Sequence, residues 1–418
     1  MSQLALLGGP KAVTIQEPEM QRWPVVTEEE EQAVLEVLRS GNWSLPPVTR
    51  EFEREFAEYV GAEFALAHNN GTAALHGAMF AVGVGPGDEV IAQAYTYWAT
   101  IMPALALGAI PVFAEIEERT LGIDPEDLER KITPRTKAIV VVHLHGQPSD
   151  MDAIMAIARE HGVAVIEDAS HAHGAKLNGR PIGTIGDVGA FSLQTSKLLP
   201  AGEGGILVTN EREYYERAVL LGHYERIPEL SNENYRRYHR TCYGFKYRIN
   251  PLAAAIARVQ LRHLDERNAK RNANIARFHD GIRELPGIQV IDGLPGAEPV
   301  HYQNAMIYKP EELGGLPREK FIEALEAEGA VGFRPERYDA LHMQQIFLDF
   351  DERGESEMYR VPRREDGRPR YGRGTLPRTE EIMQRVILTP TFQNASEELV
   401  DQYAAAVRKV VEHHQELL

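Results

Sequence analysis

One lysine, Lys197, lies in a segment of small and polar residues that runs from Ser192 to Gly205. Apolar stretches precede and follow this segment, so the lysine lies close to the end of a predicted strand. Burial and neighbouring cations lower the pKa of a lysine amine and make it a nucleophile towards a carbonyl group. Most lysines are solvated surface charges, and Lys197 alone does not decide between the two interpretations.

A pair of carboxylates, Glu167 and Asp168, follows an apolar run and precedes His171. Ligands of open parallel sheets bind at the carboxyl ends of the strands, which is where we expect Asp168. An acid in that position can pair with a protonated ring nitrogen of a ligand. The alternative is a helix N-cap, which is common at such turns and is the more frequent role for an isolated aspartate.

Two more segments follow predicted strands. Gly71 and Thr72 come at a strand-to-helix junction, where backbone N–H groups and a hydroxyl can bind phosphate or simply cap the helix. Tyr97 follows the next strand, and its ring can stack on a planar cofactor or pack in the core.

Two other types of site fit the sequence poorly. The glycines of residues 83–87 depart from the G-x-G-x-x-G pattern of dinucleotide-binding proteins and precede a strand instead of following one. The histidine pairs His143/His145 and His171/His173 come without an identifiable third ligand, so we predict no metal site.

Seven short apolar runs alternate with helical patterns between residues 64 and 209. The predicted strands are Phe64–Ala67, Glu89–Ala92, Ile110–Ala114, Ala138–Leu144, Val163–Glu167, Gly189–Leu193 and Ile206–Thr209, and predicted helices between them include Ala73–Val82, Tyr97–Leu107 and Met151–His161. Runs that are apolar at every position suit strands covered on both faces. We therefore predict an α/β fold with a seven-stranded, mostly parallel sheet sandwiched by helices.

Helices are also predicted outside this region. A capping box, Thr27 with Glu30, opens a helix that ends before Gly41. A long helix is predicted from Pro251 to about Phe278, and a mixed α+β pattern follows it. We expect a large α/β domain over residues 1–265 and a smaller C-terminal α+β domain over residues 266–418.

The composition limits the possible partners. The 418 residues contain 45 Lys and Arg against 62 Asp and Glu, a formal charge of −17 that argues against a nucleic-acid-binding surface. No apolar run approaches the roughly 20 residues that span a bilayer, and Met1–Pro10 shows no signal-peptide pattern. The single cysteine, Cys242, suits a reducing compartment. We expect a cytoplasmic protein without nucleic-acid or membrane partners.

Together, the four segments supply the parts that a pyridoxal phosphate (PLP) site needs: an amine, an acid for the ring nitrogen, a phosphate-binding turn and a stacking ring. Their order, spacing and local sequence resemble the DegT/DnrJ/EryC1/StrS aminotransferases, the sugar and cyclitol branch of the fold-type I PLP enzymes. The resemblance runs from Trp23 to Pro390 and is carried by Gly71–Leu75, Glu167–Ala169 and Ser196–Gly205. It implies the fold-type I architecture, with the large domain binding PLP.

The resemblance also implies roles for individual residues. Lys197 matches the family lysine that forms a Schiff base with PLP and moves the proton during catalysis. Asp168 matches the carboxylate that keeps the pyridine nitrogen protonated. Tyr97 matches the ring that stacks on the cofactor, and His171 lies where the family places a residue near the phenolic oxygen.

Four further residues match groups that bind the cofactor phosphate. Gly71, Thr72 and Ser192 match ligands from the same subunit. The family often has an asparagine where this chain has Lys246, and that asparagine reaches the phosphate of the neighbouring subunit. The resemblance therefore implies a homodimer with shared active sites, in which Lys246 takes the place of the asparagine.

The implied activity is ping-pong transamination, with glutamate or glutamine as amino donor and a keto sugar or ketocyclitol as acceptor. Gln194 and the segment 246–251 are more similar to the cyclitol and aminohydroxybenzoate branch than to the nucleotide-sugar branch. A PLP-dependent aromatising dehydratase of the aminohydroxybenzoate-synthase type and a PLP-binding regulator without turnover remain as alternatives. We expect the loops His223–Tyr243 and Asp349–Arg373 to determine which acceptor is used.

Overall fold

Strands of three sheets form the framework of the protein in a computed structural model, which describes residues 3–44, 46–336, 338–349 and 371–418. In chain order the strands are β1 (Phe64–His68), β2 (Glu89–Gln93), β3 (Ile110–Ala114), β4 (Thr136–Val142), β5 (Ala164–Asp168), β6 (Lys176–Leu177), β7 (Arg180–Pro181), β8 (Val188–Ser192), β9 (Gly205–Thr209), β10 (Ile288–Val290), β11 (Ala297–Glu298), β12 (Asn304–Tyr308), β13 (Arg334–Pro335) and β14 (Val386–Thr389).

The central sheet has seven strands in the order β1-β9-β8-β5-β4-β2-β3. The pairs β2–β3, β2–β4, β4–β5 and β5–β8 are parallel, whereas β9 runs antiparallel to both of its neighbours. The predicted seven-stranded, mostly parallel sheet is therefore confirmed.

Helices cover both faces of this sheet and build the C-terminal half. They are α1 (Glu28–Ser40), α2 (Pro47–Val60), α3 (Gly71–Ala81), α4 (Met102–Ala106), α5 (Pro125–Lys131), α6 (Met151–His161), α7 (Arg212–Gly222), α8 (Glu233–Arg236), α9 (Pro251–Arg262), α10 (Leu264–Ile282), α11 (Arg318–Ala327), α12 (Gln345–Leu348), α13 (Pro377–Arg385) and α14 (Glu397–Glu412). No helix among the described residues is both long enough and apolar enough to cross a bilayer.

The strand β4 shows why the inner strands of the sheet contain consecutive apolar residues. Ala138, Val140 and Val142 belong to the apolar cluster on one face, and Ile139 and Val141 belong to the cluster on the other. Successive side chains of a strand point to opposite faces, so a sheet covered by helices on both sides needs apolar residues throughout.

Two predicted helices differ from the structure. The helix predicted over Tyr97–Leu107 is a 3₁₀ turn over Trp98–Thr100 followed by α4, because Pro103 lacks a backbone N–H and disfavours helical geometry before it. The long helix predicted from Pro251 is interrupted at His263 (φ −100°, ψ 0°). The interruption lets α9 pack under the central sheet while α10 packs into the C-terminal cluster.

The C-terminal half is built on a four-stranded antiparallel sheet in the order β10-β12-β14-β13. Its core includes Phe278, Phe321 and Val407, together with Leu4 and Val13 from the beginning of the chain. The N-terminal residues thus pack with this half, although the predicted division at residue 265 places them in the larger domain.

Candidate active site

The predicted site residues lie at one edge of the central sheet. Since β1 and β8 both run antiparallel to β9, they are parallel to each other, and the carboxyl ends of β1, β2, β5 and β8 meet at the same edge. A cavity of about 470 Å³ opens there. Ligand sites of doubly wound sheets occupy this position.

Seven of the eight predicted residues line this cavity. They are Gly71, Thr72, Tyr97, Asp168, His171, Ser192 and Lys197. These residues lie at or just beyond the carboxyl ends of four different strands, so only the folded sheet brings them together. Lys246 is exposed and does not line the cavity of its own chain.

Lys197 presents its amine to the cavity from a tight loop. Its Nζ atom lies 4.3 Å from the centre of the Tyr302 ring. Its carbonyl oxygen accepts a hydrogen bond from Trp23 Nε1 (3.0 Å), and its N–H donates to the carbonyl oxygen of Gln194 (2.8 Å). Burial lowers the pKa of Lys197 to about 8, against the opposing effect of the Asp168 charge. The amine is therefore neutral far more often than an exposed lysine is.

Asp168 is buried and held by hydrogen bonds on both carboxylate oxygens. Thr100 donates its hydroxyl to Oδ2 (2.8 Å), and the N–H of Ser170 donates to Oδ1 (3.2 Å). Thr100 is itself hydrogen-bonded to the hydroxyl of Thr96 (2.9 Å). No helix begins after β5, since the chain continues through turns to β6, so the helix-capping alternative for Asp168 is wrong.

Glu167 points away from the cavity and has a structural role. Burial raises its pKa, but hydrogen bonds from His143 Nε2 (3.0 Å) and from the N–H groups of Gly186 (2.6 Å) and Gly183 (2.8 Å) outweigh that effect, and its pKa is lowered. The carboxylate thereby fixes the loop that leads into β8. Adjacent residues of a strand face opposite sides, which separates this role from that of Asp168.

The turn between β1 and α3 forms a narrow cradle. Asn70 caps the helix by accepting the N–H of Ala73 (2.8 Å), so the capping interpretation holds for this turn. Gly71 packs against Ser192, where an added β-carbon would lie 2.7 Å from Ser192 Cβ. The first N–H groups of a helix have no partner within it, and the helix dipole favours an anion there. The cradle suits a phosphate group.

Aromatic rings form the outer walls of the cavity. Tyr97 is 42% exposed and lies over Trp98, with ring centroids 3.9 Å apart, so it is not a core residue. Tyr95 is buried, and its hydroxyl donates to Glu336 Oε2 (2.6 Å). Tyr97 is therefore available to a planar ligand, whereas Tyr95 connects the two halves of the chain.

His171 packs its ring on Tyr302, with centroids 4.2 Å apart. Its Nδ1 accepts the N–H of His145 (3.3 Å), which leaves the ring proton on Nε2. Burial and the charge of Lys197 hold the pKa of His171 well below its ordinary value. The residue is therefore a neutral hydrogen-bond donor.

The sequence did not identify the residues that the C-terminal half contributes. These are Tyr302, Gln303, Glu336 and Tyr338. They precede or follow short strands and show no local pattern that differs from a surface loop. Thr100 was recoverable, because it lies four residues after Thr96 in a segment that was already of interest.

The comparisons with known proteins agree with this geometry. The sequence profile of the DegT/DnrJ/EryC1/StrS aminotransferase family matches residues 24–408. The spore coat polysaccharide biosynthesis protein SpsC of Bacillus subtilis is 35% identical over 397 residues, which cover 93% of this chain and 96% of that protein. The L-glutamine:2-deoxy-scyllo-inosose aminotransferase of Streptoalloteichus tenebrarius is 35% identical and covers 94% of this chain and 95% of its own length.

A solved structure is also similar to this chain. The crystal structure of S. venezuelae DesV in complex with a ketimine intermediate superposes with a TM-score of 0.78 at 33% identity. The match covers 92% of this chain and 95% of DesV. The similarity thus extends across both halves of the chain, including the segments that form the cavity.

Proposed function

This chain belongs to the DegT/DnrJ/EryC1/StrS aminotransferase family and is a PLP-dependent aminotransferase, and we propose that it transfers an amino group from glutamate or glutamine to a keto sugar or ketocyclitol. The observation that carries the proposal is the meeting of Lys197, Asp168 and the Gly71–Ser192 cradle in one cavity. The name of the S. tenebrarius relative supports both the donor and the acceptor.

The residues around the cavity fit PLP. The cradle of Gly71, Thr72 and Ser192 is so narrow that a β-carbon at position 71 would fill it, and it would hold the phosphate. Asp168 would pair with the ring nitrogen and Tyr97 would stack on the ring. When bound, PLP supplies an electron sink that stabilises negative charge at the carbon bearing the amino group.

Lys197 is the proton-transfer group in this proposal. With a pKa of about 8, its Nζ atom can both hold and release a proton near neutral pH. It would remove the α-proton of the donor and, in the second half of the reaction, supply the proton to the acceptor carbon. The loop hydrogen bonds of its backbone to Trp23 and Gln194 keep the amine directed into the cavity.

Asp168 lines the same cavity as Lys197. Its carboxylate is buried and oriented by Thr100, so it can hold a proton on a heteroaromatic nitrogen without competition from water. His171, which is neutral, can donate from Nε2 to an oxygen of the ligand.

The acceptor class is inferred from the cavity lining and from the relatives. Glu203 and Glu336 supply carboxylates, and Tyr338 supplies a hydroxyl, which suits hydrogen bonds to a polyhydroxylated ring. Residues 350–370 of the predicted specificity loop Asp349–Arg373 lie outside the described residues. The other predicted loop, His223–Tyr243, contains the short helix α8.

The proposal also includes an oligomeric state and a cellular location. We propose a homodimer in which the exposed Lys246 reaches the phosphate of the neighbouring subunit, and a cytoplasmic location consistent with one cysteine, Cys242. Light scattering on the purified holoenzyme tests the first statement. A Lys246→Ala variant that remains dimeric and binds PLP with unchanged affinity would contradict the role of Lys246.

The test of the activity separates the two halves of the reaction. Holoenzyme is incubated with glutamate or glutamine, the keto acid formed is quantified, and a panel of ketocyclitols and nucleotide keto sugars is then added. We expect stoichiometric keto acid in the first step and an aminated ring compound in the second. A protein that accepts no amino group from either donor but aromatises an aminated cyclohexenone would be a dehydratase, and the proposal would be wrong.

A further inference from the structure

A second cavity, of about 390 Å³, adjoins the PLP site and contains two arginines, Arg271 and Arg334. We propose that this cavity binds the carboxylate group of the amino donor. The proposal rests on the proposed aminotransferase function, because it assigns the ligand from the reaction. The two arginines that carry the proposal, however, are not among the residues on which the proposed function rests.

Arg271 is a buried cation that has no counter-ion among the residues that the structure describes. It lies on α10 with 2% of its surface exposed. Its Nη1 donates to Asn268 Oδ1 (3.0 Å), and its guanidinium lies 5.2 Å from the ring centre of Trp23. No carboxylate among the described residues pairs with it. An uncompensated buried charge is costly, so a site of this kind gains by accepting an anion.

The pKa of Arg271 supports the same interpretation. Burial, and then the charge of Arg267, lower it to about 10. A carboxylate near the guanidinium would act in the opposite direction. The environment of Arg271 is thus built from neutral and cationic groups, to which a bound anion would be complementary.

Arg334 brings a second cation to the cavity from the C-terminal sheet. It lies on β13, is half-buried, and forms no ion pair with any of the residues that the structure describes. Two guanidinium groups can hold a carboxylate or a phosphate with charge-assisted hydrogen bonds.

The lining of the second cavity contains no Asp or Glu among the described residues, whereas three carboxylates, Asp168, Glu203 and Glu336, line the first. The whole chain carries a formal charge of −17. A cavity lined by two arginines and neutral polar groups is therefore a local positive region in an acidic protein. Such a region selects anions.

The two cavities share a wall, which places the anion site beside the reacting amine. Ser196 and Tyr302 line both cavities, and their hydroxyl oxygens lie 2.9 Å apart. The same tyrosine ring lies 4.3 Å from Lys197 Nζ. On the other side, Trp23 lines the second cavity and donates to the Lys197 carbonyl. A ligand that reaches Lys197 and the adjoining cavity at once must carry an amine and a carboxylate close together, and a small amino acid does so.

The donor is favoured over a diphosphate-bearing acceptor for a physical reason. Every amino-acid donor carries a carboxylate, and Lys197 is the only cation among the described residues of the first cavity. Arg271 is so deeply buried that an extended nucleotide diphosphate cannot approach its guanidinium group. A single carboxylate requires little space and can approach it.

Two substitutions and one control test the assignment. Arg271→Gln and Arg334→Gln each remove a cation, and Arg277→Gln removes an exposed arginine of α10 that pairs with Asp401 and Glu397. We expect the first two to raise the KM for glutamate by about 10- to 100-fold, with a smaller change in kcat. The reaction of the aminated enzyme with its acceptor should change less than about threefold. The control should behave like the wild type.

Binding to holoenzyme gives a readout that does not depend on turnover. Glutarate, a dicarboxylate without an amino group, is titrated calorimetrically, and inorganic pyrophosphate is titrated in parallel. We expect glutarate to bind the wild type and to bind both variants at least about 10-fold more weakly. Circular dichroism of each variant shows whether it is folded, and Arg334→Gln provides a test if Arg271→Gln is not.

Three results would overturn the assignment. They are unchanged donor KM and glutarate affinity in both variants, equal losses in the donor and acceptor halves of the reaction, and binding of pyrophosphate in preference to glutarate. Equal losses would show that the arginines serve both halves of the reaction, and a preference for pyrophosphate would assign the cavity to a phosphate-bearing ligand. If the protein accepts no amino group from any amino acid, the proposed function fails, but glutarate binding and its loss in the variants still decide what the cavity binds.

Discussion

The backbone of Gly71 lies directly against Ser192, and a β-carbon at position 71 would come within 2.7 Å of the serine Cβ. Gly71 begins α3 and Ser192 ends β8, two elements that are 121 residues apart in the chain and adjacent in the fold. The phosphate-binding cradle that we propose therefore depends on a contact that only glycine permits.

A Gly71→Ala substitution should weaken PLP binding. The added methyl group must displace Ser192 or the first turn of α3, and both carry proposed phosphate ligands, so we expect the Kd for PLP to rise by about 10-fold or more. Fluorescence titration of the apoprotein measures it. Gly85→Ala is the control, because its β-carbon would meet only Asp88 Oδ2, at 3.9 Å. Equal PLP affinity in the two variants would contradict the proposed cradle.

Replacing Lys197 by alanine should abolish transamination. The loss of the amine removes the proposed proton carrier, and we expect kcat to fall by at least about 10³-fold. The protein-bound cofactor should also lose its absorbance between about 400 and 430 nm. Lys176→Ala, at an exposed lysine of β6, should leave both properties unchanged. An active Lys197→Ala protein with unchanged absorbance would remove the basis of the proposed mechanism.

The lowered pKa of Lys197 makes cofactor loading depend on pH. With a pKa of about 8, roughly one tenth of the amine is neutral at pH 7 and most of it at pH 9. Only the neutral amine attacks the PLP aldehyde, so the rate at which the apoprotein binds PLP covalently should rise with pH, with a midpoint near 8. Stopped-flow absorbance measures it. A midpoint near 10.5 would show that the amine is not desolvated.

Thr100 should act as a positioning residue for Asp168. Thr100→Val preserves the shape of the side chain but removes the hydroxyl that donates to Oδ2, and a hydrogen bond to a charged group is worth about 1.5–3 kcal/mol. We expect kcat to fall by about 10-fold while the protein still binds PLP. Thr100→Ser, which keeps the hydroxyl, should restore most of the activity. A loss of stability without a change in kcat would indicate a structural role only.

The sequence was sufficient for those parts of the site that depend on local patterns. Each strand of the central sheet is predicted from a short apolar run, and each predicted residue of the cavity lies near the end of one of them. The rule for parallel sheets therefore places Asp168 and Ser192 together. The turn at Gly71 could be interpreted in the same way. Family resemblance supplied the roles of these residues, which the spacing alone left open.

The contribution of the C-terminal half could not be predicted. Tyr302 and Glu336 reach the cavity because β12, β13 and β14 pair in an order that no local pattern encodes. Arg271 lies at one position of a helix with many charged residues, and only the packing of Trp23 against it reveals that it is buried. The break at His263 is similarly a consequence of two helices packing into different cores.

A buried ion pair behind the cradle should be essential for stability. Arg226 donates from both terminal nitrogens to Glu53 (2.9 and 3.0 Å), and Glu53 also accepts the N–H of Ala67 on β1 (2.8 Å). Both side chains are only 6% exposed, and the carboxylate raises the pKa of Arg226 above its ordinary value although burial lowers it. The pair thus joins α2 and the segment after α7 to the strand that leads into the cradle.

Breaking this pair from one side leaves Glu53 without its cation, or leaves Arg226 with only the more distant Glu225 (3.8 Å), and loss of one partner of a buried pair costs about 3–5 kcal/mol. We therefore expect Glu53→Gln and Arg226→Met each to lower the free energy of unfolding of the apoprotein by about that amount, measured by urea denaturation. The double variant should lose less than the sum, because neither member of the pair then remains as a charge facing a missing partner, and the glutamine can still accept from Ala67. Arg50→Gln, which breaks the exposed pair with Glu229, should cost less than about 1 kcal/mol. Additive losses in the double variant would show that the two side chains stabilise the fold independently, and that the ion pair is not what holds β1 in place.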